Sequence, residues 1–321
     1  MDILITGGGG FLGRALARRL LATPEFASGV SLTLADIAAP PGWEGEPRVR
    51  SVACNITDRS VISALITPDT GVIYHLAAIV SGQAEKEFDL GMSVNLDSTR
   101  TLLEVARTRG HAPRFIFASS LAVYGGELPD VVGDQTALNP QSSYGMQKSV
   151  GELLVNEYSR RGWVDGRVLR LPTISVRPGK ANQAASSFAS GIIREPLHGQ
   201  PAICPVGRGV RMWLSSPQAA IANLAHAAQV PAGKLGLNRS INVPGLSVTV
   251  EEMVRALEKV GGRAAVERIR FEPQEAIERI VATWPGEIDI SRALGLGFEK
   301  DRDFESVIRA FVAEEKLTIN G

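Results

Sequence analysis

Short apolar runs alternate with amphipathic segments along the first half of the chain. The apolar runs predict strands at residues 3–5, 31–34, 49–53, 71–76, 114–118 and 167–171. Helical periodicity predicts helices at residues 14–21, 58–66, 85–109 and 144–161, the second of them capped by Asp58. Runs such as Phe115-Ile116-Phe117 are apolar without interruption, which is typical of strands covered on both faces. The pattern predicts an α/β fold with a doubly wound parallel sheet.

The pattern changes after about residue 175. Proline and glycine become frequent, as at Pro178-Gly179, and shorter helices follow Pro217 and Thr249. Thr249 and Glu252 have the spacing of a capping box. We therefore expect a sheet domain at residues 1–175. Residues 176–321 are expected to form a smaller C-terminal substrate-binding part, interleaved with returns to the main sheet.

Composition and charge narrow the class of partner. The chain has 321 residues, and 34 basic residues balance 34 acidic ones, so no basic excess indicates a nucleic acid partner. No apolar run approaches the ~20 residues of a membrane helix, and the start lacks the pattern of a signal peptide. The two cysteines and four histidines lack metal-ligand spacing. We expect a cytoplasmic protein without a metal and without membrane contact.

A glycine turn follows the first predicted strand. Gly7 permits a tight turn, Gly10 lets the backbone approach a pyrophosphate, and Gly13 lets the next helix pack on the strand. The helix then presents free N–H groups and the positive end of its dipole to phosphates. This context predicts a Rossmann-type dinucleotide site.

Asp36 stands at the end of the second predicted strand. A carboxylate there would bind the adenosine ribose and repel a 2′-phosphate, so NAD is favoured over NADP. The alternative is an ordinary polar residue in a turn after a strand.

Tyr144 and Lys148 are spaced to share one helix face, and Ser120 ends the fifth predicted strand. A tyrosine with a pKa of ~10 is a poor base at neutral pH. An ammonium group about 4 Å away would favour the phenolate by roughly 4 kcal/mol at an effective dielectric constant near 20. We therefore predict alcohol oxidation with Tyr144 as the base, Lys148 lowering its pKa and Ser120 holding the substrate oxygen. Taken alone, the pair also fits an ordinary amphipathic helix face.

Together these residues resemble the extended short-chain dehydrogenase/reductase family, which includes nucleotide-sugar epimerases. Asn55-Ile56-Thr57-Asp58 is similar to the family's adenine-contacting segment, with Asn in place of its first Asp. The resemblance implies a homodimer paired through the two long helices. It also implies NAD contacts from Gly7, Gly10, Phe11, Leu12, Gly13, Asp36, Asn55, Ile56, Leu76, Ala77, Ala78, Asn95, Ser119, Tyr144, Lys148, Pro172 and Thr173.

The predicted substrate loops resemble one branch of the family, which oxidises the C2 hydroxyl of D-erythronate to 2-oxo-tetronate with NAD. A small sugar acid needs a cation for its carboxylate and donors for its hydroxyls. Lys180 and Arg208 are further cations in this half of the chain. The candidate substrate contacts are Ser81, Gln83, Ser120, Arg177 and Arg211.

Other activities remain open at this point. The same three catalytic residues would serve a nucleotide-sugar 4-epimerase or dehydratase that retains its NAD. An L-threonine dehydrogenase and a nucleotide-sensing protein without catalysis are further alternatives.

Overall fold

The computed structural model describes residues 1–23, 29–179 and 183–318. In chain order its strands are β1 (Asp2–Thr6), β2 (Ser31–Asp36), β3 (Val49–Ala53), β4 (Thr70–His75), β5 (Arg114–Ser120), β6 (Asp165–Leu171), β7 (Thr173–Ile174), β8 (Ala202–Cys204), β9 (Arg211–Ser215), β10 (Ser240–Asn242), β11 (Leu246–Thr249) and β12 (Ile269–Phe271). The α-helices are α1 (Phe11–Ala22), α2 (Arg59–Leu65), α3 (Ser81–Lys86), α4 (Phe88–Gly91), α5 (Ser98–Arg109), α6 (Ser143–Arg160), α7 (Phe188–Leu197), α8 (Pro217–Ala227), α9 (Ala232–Leu235), α10 (Val250–Gly261), α11 (Arg263–Val266), α12 (Glu275–Val281), α13 (Ser291–Gly295) and α14 (Phe304–Glu314).

A parallel sheet forms the centre of the molecule. Across the described ranges it has seven strands in the order β3-β2-β1-β4-β5-β6-β10, with every neighbouring pair parallel. Buried apolar residues on both faces of β1, β4 and β5 explain why helices cover both sides. Thr6 and His75 pair in register, and His75 pairs with Phe117. The carboxyl ends of three central strands therefore meet at one edge, and the doubly wound sheet is confirmed.

The predicted long helix at residues 85–109 is wrong in its first half. The chain forms α3 and α4, then a π-helical turn at Met92–Asp97, and only then α5. Glu87 leaves helical geometry between α3 and α4. In the π-helical turn, the Asn95 amide bonds to both the N–H and the C=O of Ile79, at 2.8 and 3.0 Å. This tie holds the turn against the loop that follows β4, and helical periodicity could not reveal it.

The other predicted elements agree with the structure to within a few residues. Asp58 caps α2 through the N–H of Ser60, at 2.8 Å. Thr249 and Glu252 form the predicted capping box at the start of α10.

A second hydrophobic core lies in the C-terminal half. It is built mainly from α7, α10, α14 and the strands β8 and β9, and its first residue along the chain is Val176. The chain also returns to the main sheet, because α8 packs against α1 and β10 pairs with β6. The predicted boundary at residues 175–176 stays a prediction. In the part of the chain that the structure describes, no helix has both the length and the apolar character to span a membrane.

An ion pair is buried between α6 and the sheet. Arg170 on β6 donates to Glu152 on α6 at 2.7 Å, and the two side chains are 6% and 1% exposed. Ser119 at the end of β5 also donates to this carboxylate, at 2.5 Å. Arg170 then donates to the Tyr124 hydroxyl at 2.5 Å, and that hydroxyl donates to Asn242 at 2.8 Å. One network therefore connects β5, α6, β6 and β10.

Replacing Glu152 with glutamine should destabilise the fold strongly. The substitution leaves the Arg170 charge buried without its counter-ion, which costs about 3–5 kcal/mol. Glu157→Gln is the matched control, because that carboxylate pairs with Arg160 and Arg161 at the exposed end of the same helix. Urea unfolding of both variants measures the difference, and equal stabilities would contradict the role of the buried pair.

Candidate active site

The turn at residues 7–13 excludes side chains where the chain crosses itself. A Cβ on Gly7 would lie 2.7 Å from the backbone nitrogen of Ala77, and Gly7 has a φ of +71°. A Cβ on Gly13 would lie 2.3 Å from the carbonyl oxygen of Gly7. Among the described residues, no side chain caps the first turn of α1, so its N–H groups face the turn. These close approaches form a cradle that fits a pyrophosphate.

A cleft of about 540 Å³ opens beside this turn, and we call it the nucleotide cleft. Asp36 lies on its wall, where one carboxylate oxygen accepts the N–H of Gly9 at 2.9 Å and the other accepts that of Ile37 at 2.8 Å. The Asn55 side chain accepts the N–H of Thr57 at 3.1 Å, which forms a turn at the same wall. The predicted residues that line this cleft are Gly7, Gly10, Asp36, Asn55, Ile56, Leu76, Ala77 and Ala78.

A smaller cavity of about 220 Å³ adjoins it, and we call it the catalytic cavity. Leu76 and Ala78 line both spaces, so they meet after β4. The two spaces together suit a dinucleotide with its adenosine beside Asp36 and its other end beside Tyr144. The predicted residues that line the catalytic cavity are Leu12, Leu76, Ala78, Ser81, Ser119, Ser120, Tyr144, Lys148, Pro172, Thr173 and Arg177.

Ser120, Tyr144 and Lys148 converge in this cavity. Ser120 caps the short 3-10 helix at Leu121–Val123 and hydrogen-bonds to Tyr144. The Lys148 ammonium donates to the carbonyl of Ala118 at 2.8 Å and lies 5.7 Å from the centroid of the Tyr144 ring.

The charges of this group differ from the sequence-based expectation. Burial raises the pKa of Tyr144 to about 12, and the hydrogen bond from Ser120 opposes that shift. Burial also lowers the pKa of Lys148 to about 7, against the opposing charge of Glu152. Among the protein's own groups, desolvation therefore outweighs the attraction that was expected to make Tyr144 more acidic.

His75 is a packing residue beside the cavity. Its two ring nitrogens bond to the hydroxyls of Thr6 and Thr99, each at 2.8 Å, and the side chain is 1% exposed. Burial first, and then the positive charge of Lys148, lower the pKa of His75 to about 3. The histidine is thus neutral, and it holds β1, β4 and α5 together.

Three predicted cofactor residues do not line either space. Asn95 is buried and bonds to the backbone of Ile79, and its amide donates to the Gln147 side chain at 2.7 Å. It therefore supports Ile79, which lines the nucleotide cleft. Phe11 is the first residue of α1, and Gly13 permits the close crossing described above.

Two predicted substrate residues also lie outside the catalytic cavity. Gln83 donates to Glu87 along the same segment, at 3.0 Å. Arg211 donates to Ser247 at 3.2 Å, and its side chain is 48% exposed. Lys180 lies outside the described residues.

Sequence reasoning missed part of the cavity wall. Ser186 and Trp284 both line it, although they come from the C-terminal half and belong to no recognisable motif. Trp284 follows α12, and only the tertiary fold brings this segment to the carboxyl edge of the sheet.

A glycine cradle, a strand-end carboxylate and a Ser-Tyr-Lys group on a parallel sheet define an NAD-dependent oxidoreductase of the Rossmann type. Comparison with known proteins agrees: residues 3–243 match the model of the NAD dependent epimerase/dehydratase family. The chain belongs to that family, uses NAD, and is a dehydrogenase acting on an alcohol.

Curated relatives cover nearly the whole chain. It is 54% identical to a D-erythronate dehydrogenase of Cupriavidus necator, over 99% of each sequence. It is 50% identical to a D-erythronate dehydrogenase of Haemophilus influenzae, over 97% of this chain and 99% of the relative.

Solved structures share the fold. A nucleoside-diphosphate-sugar epimerase from Agrobacterium tumefaciens has a TM-score of 0.93 and 41% identity, covering 100% of this chain and 96% of its own. An L-threonine 3-dehydrogenase from Trypanosoma brucei has a TM-score of 0.87 and 25% identity, covering 99% of both chains.

Removing the charge of Asp36 should weaken the preference for NAD. In Asp36→Asn the amide oxygen still accepts a hydrogen bond from Gly9, but the repulsion of a 2′-phosphate is lost. We expect the ratio of kcat/KM for NADP over NAD to rise at least about tenfold, equivalent to about 1.4 kcal/mol. Asp303→Asn, at the cap of α14 and outside both linings, is the control and should leave the ratio unchanged. A ratio unchanged in Asp36→Asn as well would disprove the assignment.

Proposed function

We propose that this dehydrogenase oxidises the C2 hydroxyl of D-erythronate, a four-carbon sugar acid, to 2-oxo-tetronate with NAD. The size of the catalytic cavity carries the proposal. About 220 Å³ is less than the roughly 300–1,000 Å³ of sites that hold drug-sized ligands, so a small substrate fits best. The two D-erythronate dehydrogenases at 54% and 50% identity support this substrate.

In the proposed reaction the C2–H bond breaks as a hydride leaves, and the C2 hydroxyl becomes a carbonyl. NAD supplies the hydride acceptor. Tyr144 takes the hydroxyl proton, and Ser120 hydrogen-bonds to the substrate oxygen. The Lys148 ammonium stabilises the phenolate form of Tyr144, because the two groups share a cavity of low dielectric constant. For Tyr144 to act as a base, the positive charge of Lys148 must offset the desolvation that raises the pKa of Tyr144.

Arg177 is the proposed partner of the substrate carboxylate. It lines the catalytic cavity, and its backbone is fixed because its N–H donates to Ser190 at 3.0 Å and its carbonyl accepts from Arg194 at 2.8 Å. Burial, and then the neighbouring charge of Arg194, lower the pKa of Arg177. A carboxylate would relieve this repulsion between two cations. The wall also offers the Ser81 hydroxyl, which accepts the N–H of Ala185 and has a proton left to donate.

A nucleotide-sugar epimerase is the second candidate, because a chain of 41% identity is named as one. The same Ser120, Tyr144 and Lys148 could oxidise a sugar carbon, after which NADH would reduce it again. The small volume beside these residues disfavours a substrate with an attached nucleotide.

The decisive experiment records NADH absorbance with NAD and a panel of four-carbon acids, L-threonine and nucleotide sugars. We expect net NADH formation with D-erythronate and a loss of at least about 100-fold in Tyr144→Phe, since an acid-base group contributes at least that much. Tyr158→Phe, on the same helix but bonded to Glu104 away from the cavity, is the matched control. Absence of NADH with every four-carbon acid would refute the substrate, and a nearly active Tyr144→Phe would refute the mechanism.

We also propose a homodimer that pairs through α6. The family resemblance suggests it, and α6 carries an apolar stripe of partly or largely exposed residues at Met146, Val150 and Leu153, the last 65% exposed. These positions repeat at i, i+4 and i+7, so they lie on one helix face. The cytoplasmic location stays a prediction.

A charge in this stripe should break the dimer. Leu153→Arg places an unpaired cation in the proposed apolar interface, which favours the monomer. Light scattering at micromolar concentration should give the mass of two chains for the unmodified protein and of one chain for the variant. A monomeric unmodified protein, or a variant that remains dimeric, would rule out this interface.

A further inference from the structure

Trp284 belongs to the linings of two spaces. It lines the catalytic cavity. It also lines a narrow cleft, which we define by Leu121, Thr173, Arg211, Trp213, Val281 and Trp284. Leu121, Thr173 and Trp284 belong to both linings, so the two spaces share a wall. The narrow cleft has no room for a water molecule, and Arg211 belongs to its lining.

The backbone holds this wall in place on both sides of the indole. The backbone N–H of Trp284 donates to the carbonyl of Val281 at 3.1 Å. Two residues later, the carbonyl of Gly286 accepts from the Ser247 hydroxyl at 2.7 Å. Ile288 then pairs with Val132 as a parallel bridge. The Trp284 side chain is partly buried and packs against two hydrophobic clusters, so a longer substrate would have to disturb that packing to displace it.

We propose that Trp284 sets the upper limit on the length of the sugar acid. This inference rests on the proposed function, which places the carboxylate at Arg177 and C2 at Tyr144. The remaining carbons then extend along the rest of the wall, which includes the indole. Each additional carbon beyond the fourth must find room, and one methylene group in such a pocket changes kcat/KM by about 10- to 200-fold. Shortening Trp284 would join the catalytic cavity to the narrow cleft and open a path towards Arg211.

The test compares D-erythronate, D-ribonate and D-allonate, which share the configuration at C2 and C3 and differ in length. For Trp284→Ala we expect the ratio of kcat/KM for D-allonate over D-erythronate to rise at least about tenfold. The corresponding ratio for D-ribonate over D-erythronate should rise by a smaller factor. Trp284→Phe should give a smaller rise. The matched control is Trp213→Phe, because Trp213 borders the narrow cleft and does not line the catalytic cavity, so its ratio should stay within about twofold of the unmodified enzyme.

The outcomes separate the inference from the proposed function. If the unmodified enzyme oxidises D-erythronate and Trp284→Ala leaves the length ratio within about twofold, the inference is overturned and the proposed function stands. If the unmodified enzyme oxidises none of the three acids, the proposed function fails. The inference, which rests on that function, is then overturned with it.

Discussion

The ion pair of Glu152 and Arg170 lies where β5, β6 and α6 meet, directly behind the catalytic cavity. Glu152 stands one helical turn after Lys148, and its carboxylate accepts the hydroxyl of Ser119, the neighbour of Ser120. Two charges removed from water are tolerated only when nearly every donor and acceptor is used, which fixes the relative position of the elements that carry them. The alignment of Ser120, Tyr144 and Lys148 follows from that requirement.

Burial controls the chemistry of the site as much as charge does. It makes the neutral forms of Tyr144 and Lys148 more favourable, raising the pKa of one and lowering that of the other. In such an environment each added charge acts over a longer range than it would in water. Glu152, on the far side of Lys148, is the nearby carboxylate that favours the lysine cation. The network that positions the helix therefore also contributes to the field in the cavity.

The sequence predicted those parts of the site whose function depends on local geometry. The glycine turn, Asp36 at a strand end and the spacing of Tyr144 and Lys148 all follow from rules that act over a few residues. The interruption of the helix at residues 85–109 was not predictable, because the Asn95 amide forms its contacts with residues distant in the chain. The position of Trp284 in the cavity wall could not be predicted either, because only the tertiary fold brings it there. Arg211 carries the positive charge expected of an anion contact, yet its guanidinium donates to the Ser247 hydroxyl instead.

The two hydrogen bonds of Asp36 have a consequence for attempts to redesign the cofactor preference. One carboxylate oxygen accepts the N–H of Gly9, so the residue that we predict to select the ribose also stabilises the glycine turn predicted to receive the phosphates. A Cβ on Gly9 would lie 3.1 Å from that same oxygen, which leaves little space for a larger replacement at either position. Selectivity and loop rigidity are thus carried by one side chain. A lineage that replaced Asp36 by a residue without a hydrogen-bond acceptor would need another partner for the N–H of Gly9, acquired before or together with that replacement.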